Sequence, residues 1–174
     1  SDYVATHATC SVLVVRVPTT SDGQPAQDVA AGNIGKAIIA VDEREVSNKL
    51  LDRICQFAWT TDHHLTAVTA SVKLEVFRED ILATTMEEAA RRRTIARRCA
   101  DAAAARFSEC GANAAGHSIE VEHVGKGLVE YAARSHSDLI VVGDTGRGAI
   151  SRIFLGSTSR YVLHHVHCSV LIAR

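Results

Sequence analysis

Two short runs, residues 36–42 (Lys-Ala-Ile-Ile-Ala-Val-Asp) and 138–143 (Asp-Leu-Ile-Val-Val-Gly), are apolar at every internal position. A strand with one face in water alternates apolar and polar side chains. A run apolar at consecutive positions is buried on both faces, the situation of a parallel sheet covered by helices on both sides. The stretches around these runs fit that sheet. Ser47 is a candidate helix N-cap, followed by Leu50, Leu51, Ile54, Cys55 and Ala58 at helical spacing. Residues 64–72 alternate and carry Thr and Val, as a second strand does. Residues 84–110 form the longest helical pattern, with Thr ahead of Glu87 and Glu88 and Gly111 placed to end it. A third strand is expected over 117–124, broken by Gly125, then a short helix over 128–136. The run ending at Gly143 is the fourth strand; a helix over 157–166 and a last strand over 168–172 follow. This alternation predicts an α/β fold with right-handed crossovers and helices on both faces of a parallel sheet. Ligands of such sheets bind beyond the carboxyl ends of the strands, where strand order reverses. Asp42 and Gly143 both lie at such ends.

The length of 174 residues leaves room for one full hydrophobic core. Aromatic residues are only 5% of the chain, so aliphatic side chains and alanine must fill that core. The formal charge of −1 lacks the basic footprint that a phosphate backbone demands, which argues against a nucleic-acid partner. The local run Arg91, Arg92, Arg93 with Arg97 and Arg98 follows Glu87 and Glu88, and reads as a solvated helix face with i,i+4 pairing. The five cysteines, at 10, 55, 99, 110 and 168, never stand as Cys-x-x-Cys. They read as buried thiols of a reducing compartment, and not as a disulfide framework or a zinc site. No apolar stretch has the roughly 18 residues of a membrane helix, and no signal peptide opens the chain. The expected setting is cytoplasmic, without a membrane partner. A start at Ser1 is that expected of a segment cut from a longer chain.

The two ends of the chain repeat one another. Residues 1–16 and 159–174 align without a gap, with identities at Ser1/Ser159, Tyr3/Tyr161, Val4/Val162, His7/His165, Cys10/Cys168, Ser11/Ser169, Val12/Val170, Leu13/Leu171 and Arg16/Arg174. Such self-similarity marks a repeated structural unit. Residues 17–35 hold both prolines and read as a linker. The expected organisation is therefore a helix-and-strand tail of a preceding similar domain over 1–16, the linker over 17–35, and a whole domain over 36–174. A last strand would be an exposed sheet edge, which proteins rarely leave bare. Residues 11–15 are thus expected to pair antiparallel with 169–173, within the chain as a pseudo-dimer or between chains as a homodimer.

From Gly143 the chain reads Gly-x2-Gly-x9-Gly-Ser, through Gly146, Gly156 and Ser157. Glycines at a strand end let the backbone approach a phosphate with no Cβ in the way. Gly156, Ser157 and Thr158 open a helix whose free N–H groups and positive dipole end favour an anion. Arg147, beside Gly146 and Gly148, can add charge. With these glycines, the first strand ending in Asp42, and Val-Gly-Lys-Gly over 124–127, the chain over 36–174 resembles the universal stress protein family. The resemblance implies a three-layer sandwich of the adenine nucleotide alpha-hydrolase-like kind, with a five-stranded parallel sheet in the order 3-2-1-4-5. It also implies dimerisation through the last strand and ATP or AMP as ligand, with Mg2+ accompanying a triphosphate. The corresponding nucleotide-binding residues are Asp42, Gly143, Gly146, Arg147, Gly148, Gly156, Ser157 and Thr158, with Asp42 on the ribose and adenine side.

The leading reading is a regulatory stress-response module that binds an adenine nucleotide and changes its assembly or partners. The chain departs from the family pattern at Glu43, Arg44 and Asp144, and a carboxylate near a triphosphate is unfavourable unless a metal or Arg147 offsets it. These departures motivate the alternative, a structural or dimerisation domain that kept the fold and lost the nucleotide. A slow ATPase is the furthest enzymatic reading, because no catalytic base is identifiable. His164, His165, His167 and Cys168 suit the dipole of a helix end without a metal.

Overall fold

A computed structural model describes residues 2–16, 34–42, 48–73, 82–144 and 155–174. The described elements in chain order are α1 (Asp2–His7), β1 (Val12–Val14), β2 (Lys36–Ala40), α2 (Asn48–Cys55), β3 (His64–Val72), α3 (Leu82–Glu109), β4 (Asn113–Val121), α4 (Val124–Arg134), β5 (Leu139–Gly143), α5 (Ser157–His165) and β6 (Ser169–Ala173). One six-stranded sheet runs β1-β6-β5-β2-β3-β4. The five strands from β2 to β6 are mutually parallel. Numbered from β2, they stand in the expected 3-2-1-4-5 order. The sixth strand, β1, joins the β6 edge antiparallel, so the sheet is mixed and one strand wider than the five-stranded sheet implied by the resemblance.

The two-residue period of the strands sorts their side chains into two cores. Ala37, Ile39 and Val41 face one side with Val141, Leu51 and Ile54 of α2, and Ala103 and Phe107 of α3. Ile38 faces the other with Ile140, Val142, Leu128 of α4, and Val162 and Leu163 of α5. The consecutive apolar residues of β2 and β5 are thus explained, because each strand has a helix layer on both sides. Every such fully buried Ile or Leu contributes about 1.5–3 kcal/mol relative to exposure.

On the α3 side, alanines allow helix and sheet to approach unusually closely. A Cβ at Gly116 of β4 would lie 2.6 Å from the Asp101 nitrogen and 2.7 Å from the Ala100 carbonyl carbon of α3. Both are backbone atoms, which no rotamer change can move aside. Gly116→Ala is expected to destabilise the fold by about 1–3 kcal/mol, lowering the thermal midpoint by about 2–4 °C per kcal/mol. An unchanged midpoint in calorimetry would show that α3 can shift off the sheet freely.

Several boundaries differ from those expected. β4 spans Asn113–Val121 and not 117–124. Its first residues have weak strand propensity and are recruited by the ladder with β3, where Asn113 pairs with His64. α4 starts at Val124, so Gly125 lies inside a helix and does not break a strand. A Cβ at Gly125 would come 2.9 Å from the Tyr161 Cβ, so this glycine admits the α5 tyrosine. α3 starts at Leu82, which places Thr84 within its first turn and not at the cap. Ser47 lies outside the described residues.

The cysteines require the largest correction. Cys55 and Cys110 form a disulfide, with their Cα atoms 5.5 Å apart. The ends of α2 and α3 lie side by side at the amino-terminal edge of the sheet, because each precedes a parallel strand. The remaining cysteines form no disulfide: Cys10 is exposed, Cys99 buried and Cys168 half-buried, and burial pushes the Cys168 thiol pKa up. The arginine run on α3 behaves as expected of a solvated face. Glu88 accepts from Arg91 and Arg92, and these bonds hold its carboxyl at about 2. Arg97 pairs with Asp101 and Arg93 with Glu120.

The repeated ends form a local twofold. Leu13 pairs with its own counterpart Leu171, while Val12 pairs with Ile172 and Val14 with Val170. The Arg16 amide donates to Ser169 Oγ at 3.2 Å, and the counterpart Arg174 amide donates to Ser11 Oγ at 3.1 Å. Arg16 Nη2 donates to the Leu163 carbonyl, as Arg174 Nη2 does to that of Ala5. His7 stacks on Tyr3 and His165 on Tyr161, with centroids 4.3 and 4.0 Å apart. Of the nine identical pairs, Ser11/Ser169, Val12/Val170, Leu13/Leu171 and Arg16/Arg174 build a self-complementary contact inside one chain.

Candidate functional site

β2 and β5 are neighbours in the sheet, yet the chain leaves β2 for β3 on one side and β5 for β6 on the other. Strand order reverses between them, which opens a crevice at their carboxyl ends. Ile39 pairs with Val141, and continuing that register brings Asp42 level with Asp144. The Asp42 side chain is exposed at this edge. Its carbonyl accepts the thiol of buried Cys99 at 3.2 Å, so α3 pins the end of β2.

The end of β5 is tied down more closely. Ser159, in the first turn of α5, donates its hydroxyl to the Gly143 carbonyl at 2.5 Å. The Asp144 carbonyl accepts the Gly156 amide at 2.7 Å, and the Asp144 amide donates to the Ala173 carbonyl at 3.1 Å. Strand end, helix start and the neighbouring strand end thus form one hydrogen-bonded corner. Gly156 is the N-cap of α5 and gives no side-chain cap. The first-turn N–H groups, which have no partner within a helix, lie beside the exposed Ser157 and half-buried Thr158. A Cβ at Gly143 would meet no atom of the described residues within 4 Å, and its φ is not in the left-handed region. Among the described residues, neither packing nor backbone conformation requires glycine there.

Asp144 has a cation to offset it. Arg174, almost fully buried just past β6, places Nε 3.8 Å from Asp144 Oδ2. The same guanidinium donates to the Ala5, Thr6 and Cys10 carbonyls, so the tail holds it in place. Of the expected site residues, Asp42, Gly143, Gly156, Ser157 and Thr158 lie on this one edge. Gly146, Arg147 and Gly148 lie outside the described residues. Cys99, Ser159 and Arg174 were missed. Ser159 stands in a Gly-Ser-Thr-Ser run that pointed to it, whereas nothing local marked the other two.

The Usp family model, described as the universal stress protein family, matches residues 33–174. The chain belongs to the universal stress protein family. Universal stress protein Slr1101 of Synechocystis sp. is 48% identical over 48 residues, a stretch covering 28% of this chain and 44% of that relative. The matched stretch thus spans less than half of the relative's length. A solved universal stress protein in complex with cAMP has a TM-score of 0.58 at 24% identity, covering 82% of this chain and 98% of that one. A putative universal stress protein from Pseudomonas aeruginosa has a TM-score of 0.54 at 18% identity, covering 98% of this chain and 54% of that one. These structures share the fold.

One histidine near this universal stress protein site is already engaged. His164 Nε2 lies 3.1 Å from Asp2 Oδ1. A shallow cleft of about 480 Å³ along α5 is lined by Ser157, Arg160, Tyr161 and His164, but by neither Asp42 nor Gly143. Among the described residues, no group of three or more His, Cys, Asp or Glu can hold a metal ion. No helix among them is long and apolar enough to cross a membrane.

Proposed function

We propose that this protein is a regulatory module that binds an adenine nucleotide, ATP or AMP, at the crevice between β2 and β5. The observation that carries this reading is the bare backbone of Gly143 set against the side-chain-free start of α5. That pairing offers N–H donors and space to negatively charged oxygens. Asp42 takes the ribose hydroxyls, while Ser157 and Thr158 add hydroxyl donors to the phosphates. Gly146, Arg147 and Gly148 are assigned to the phosphates by the sequence motif alone. The cAMP bound to a relative of the same fold supports an adenine nucleotide as the ligand class. Pairing with Arg174 offsets the Asp144 carboxylate, which weakens the case for a purely structural domain. Nucleotide occupancy then acts through assembly or partner binding.

The test is a thermal titration with ATP, ADP, AMP and cyclic AMP, with and without Mg2+. A ligand that binds only the folded state at about 100 times its Kd adds about 2.7 kcal/mol. For a chain of this size that raises the midpoint by about 5–10 °C. A flat response to all four at millimolar concentration would leave only the structural reading.

A further inference from the structure

The cleft of about 480 Å³ along α5 has no part in holding a mononucleotide, since neither Asp42 nor Gly143 lines it. It begins at Ser157 and continues along Arg160, Tyr161, His164 and His165. Steps of three and four positions keep these side chains on one helix face, and the opposite face, with Ser159, Val162 and Leu163, is buried. None of the described lining side chains is acidic. Arg160 is exposed and has no carboxylate partner among the described residues.

The far end of the cleft carries an aromatic platform. The exposed His165 ring lies on that of Tyr161, with centroids 4.0 Å and planes 11° apart, and its Nδ1 is 2.8 Å from the Tyr161 carbonyl. An imidazole fixed in this way can take a planar base by stacking. α5 spans 9 residues from Ser157 to His165, so the platform stands about 12 Å along the axis from the helix start. The tail copy repeats the aromatic pair without the cation. Tyr3 and His7 stack at 4.3 Å, but Asp2 stands where the other copy has Arg160, and Thr6 where it has His164. The ring pair thus belongs to the repeat, and the positive charge to the copy whose helix opens at the nucleotide crevice.

We infer that the α5 cleft is a subsite for the far half of a dinucleoside polyphosphate, which rests on the adenine nucleotide reading of the crevice and deepens it. One adenosine sits in the crevice at Asp42. The phosphate chain crosses the start of α5 at Ser157 and passes Arg160, whose guanidinium matches phosphate oxygens in charge and geometry. The second base stacks on His165. A mononucleotide occupies only the first half of this path and leaves Arg160 without an anion. A longer phosphate chain with no second base would satisfy Arg160 and leave the ring platform uncovered.

The experiment is a calorimetric titration of the 174-residue chain with AMP, adenosine tetraphosphate and diadenosine tetraphosphate, each with Mg2+. The dinucleotide is expected to bind at least about tenfold tighter than adenosine tetraphosphate, through stacking of its second base. His165→Ala is expected to remove that advantage alone, and Arg160→Gln to weaken both tetraphosphates at least about fivefold while AMP changes by less than about twofold. His7→Ala, the same change in the tail copy, is expected to alter none of the three affinities. Equal affinity for the two tetraphosphates overturns the subsite, as does an advantage that survives His165→Ala; AMP binding in either case leaves the crevice reading standing. Failure of all three ligands to bind overturns both readings. Both variants replace exposed side chains, and unliganded midpoints within about 2 °C of the parent exclude unfolding as the cause of a loss.

Discussion

Gly143→Val is expected to weaken nucleotide binding at least about 100-fold, or about 2.7 kcal/mol, while leaving the fold as stable as before. The two halves of this expectation rest on separate observations. Gly143 is the last residue of β5, its φ is not left-handed, and a Cβ there would touch no atom of the described residues within 4 Å. A β-branched residue suits a strand end of this kind, so the change in stability is expected within about 0.5 kcal/mol. The same empty volume is where phosphate oxygens would approach the strand end and the first turn of α5. Two methyl groups there exclude them by contact, which a small backbone adjustment cannot relieve because Ser159 and Gly156 hold this corner. Calorimetric titration against the preferred nucleotide, with a thermal melt of the unliganded variant, separates the two effects. Wild-type affinity in the variant would mean that phosphates do not pass over Gly143. A lower midpoint in the absence of ligand would mean that the glycine serves the fold after all.

The parts legible in the sequence are those that depend on local repetition. The parallel sheet was readable because β2 and β5 must be apolar on both faces, and Ala37, Ile38 and Ile39 fall on alternate sides as that requires. The contact between the two chain ends was readable because Leu13 meets its own counterpart, so identical sequences imply a self-complementary pair. Groups that meet only through the crossovers were not readable. Cys99 reaches the Asp42 carbonyl from a helix 57 positions along the chain. The charge at Asp144 looked in need of a metal or Arg147, and the structure supplies Arg174 from the neighbouring strand end. The amino-terminal part of β4, through Gly116, has too little strand propensity to be recognised before its nine-residue ladder with β3 is known.

Reduction of the Cys55–Cys110 bond is expected to cost the folded state about 4 kcal/mol and to leave the nucleotide site intact. The two cysteines are 55 positions apart, and a cross-link over a loop of that length removes chain entropy from the unfolded state worth about 4 kcal/mol in the loop-closure account. For a chain of this size the midpoint falls by about 8–16 °C. Cys55→Ser is expected to reproduce the fall and to be insensitive to reductant, while Cys10→Ser leaves both values unchanged because Cys10 is a free exposed thiol. The site is spared for a topological reason. Cys55 ends α2 and Cys110 follows α3, ahead of the starts of β3 and β4, so the bond joins the edge of the sheet opposite Asp42 and Gly143. Nucleotide affinity measured with and without reductant at a temperature where both forms are folded is therefore expected to agree within about twofold, or about 0.4 kcal/mol. Equal midpoints in the two redox states would show that the cross-link does not constrain the unfolded chain. A large change in affinity would show instead that α2 transmits strain from one edge of the sheet to the other.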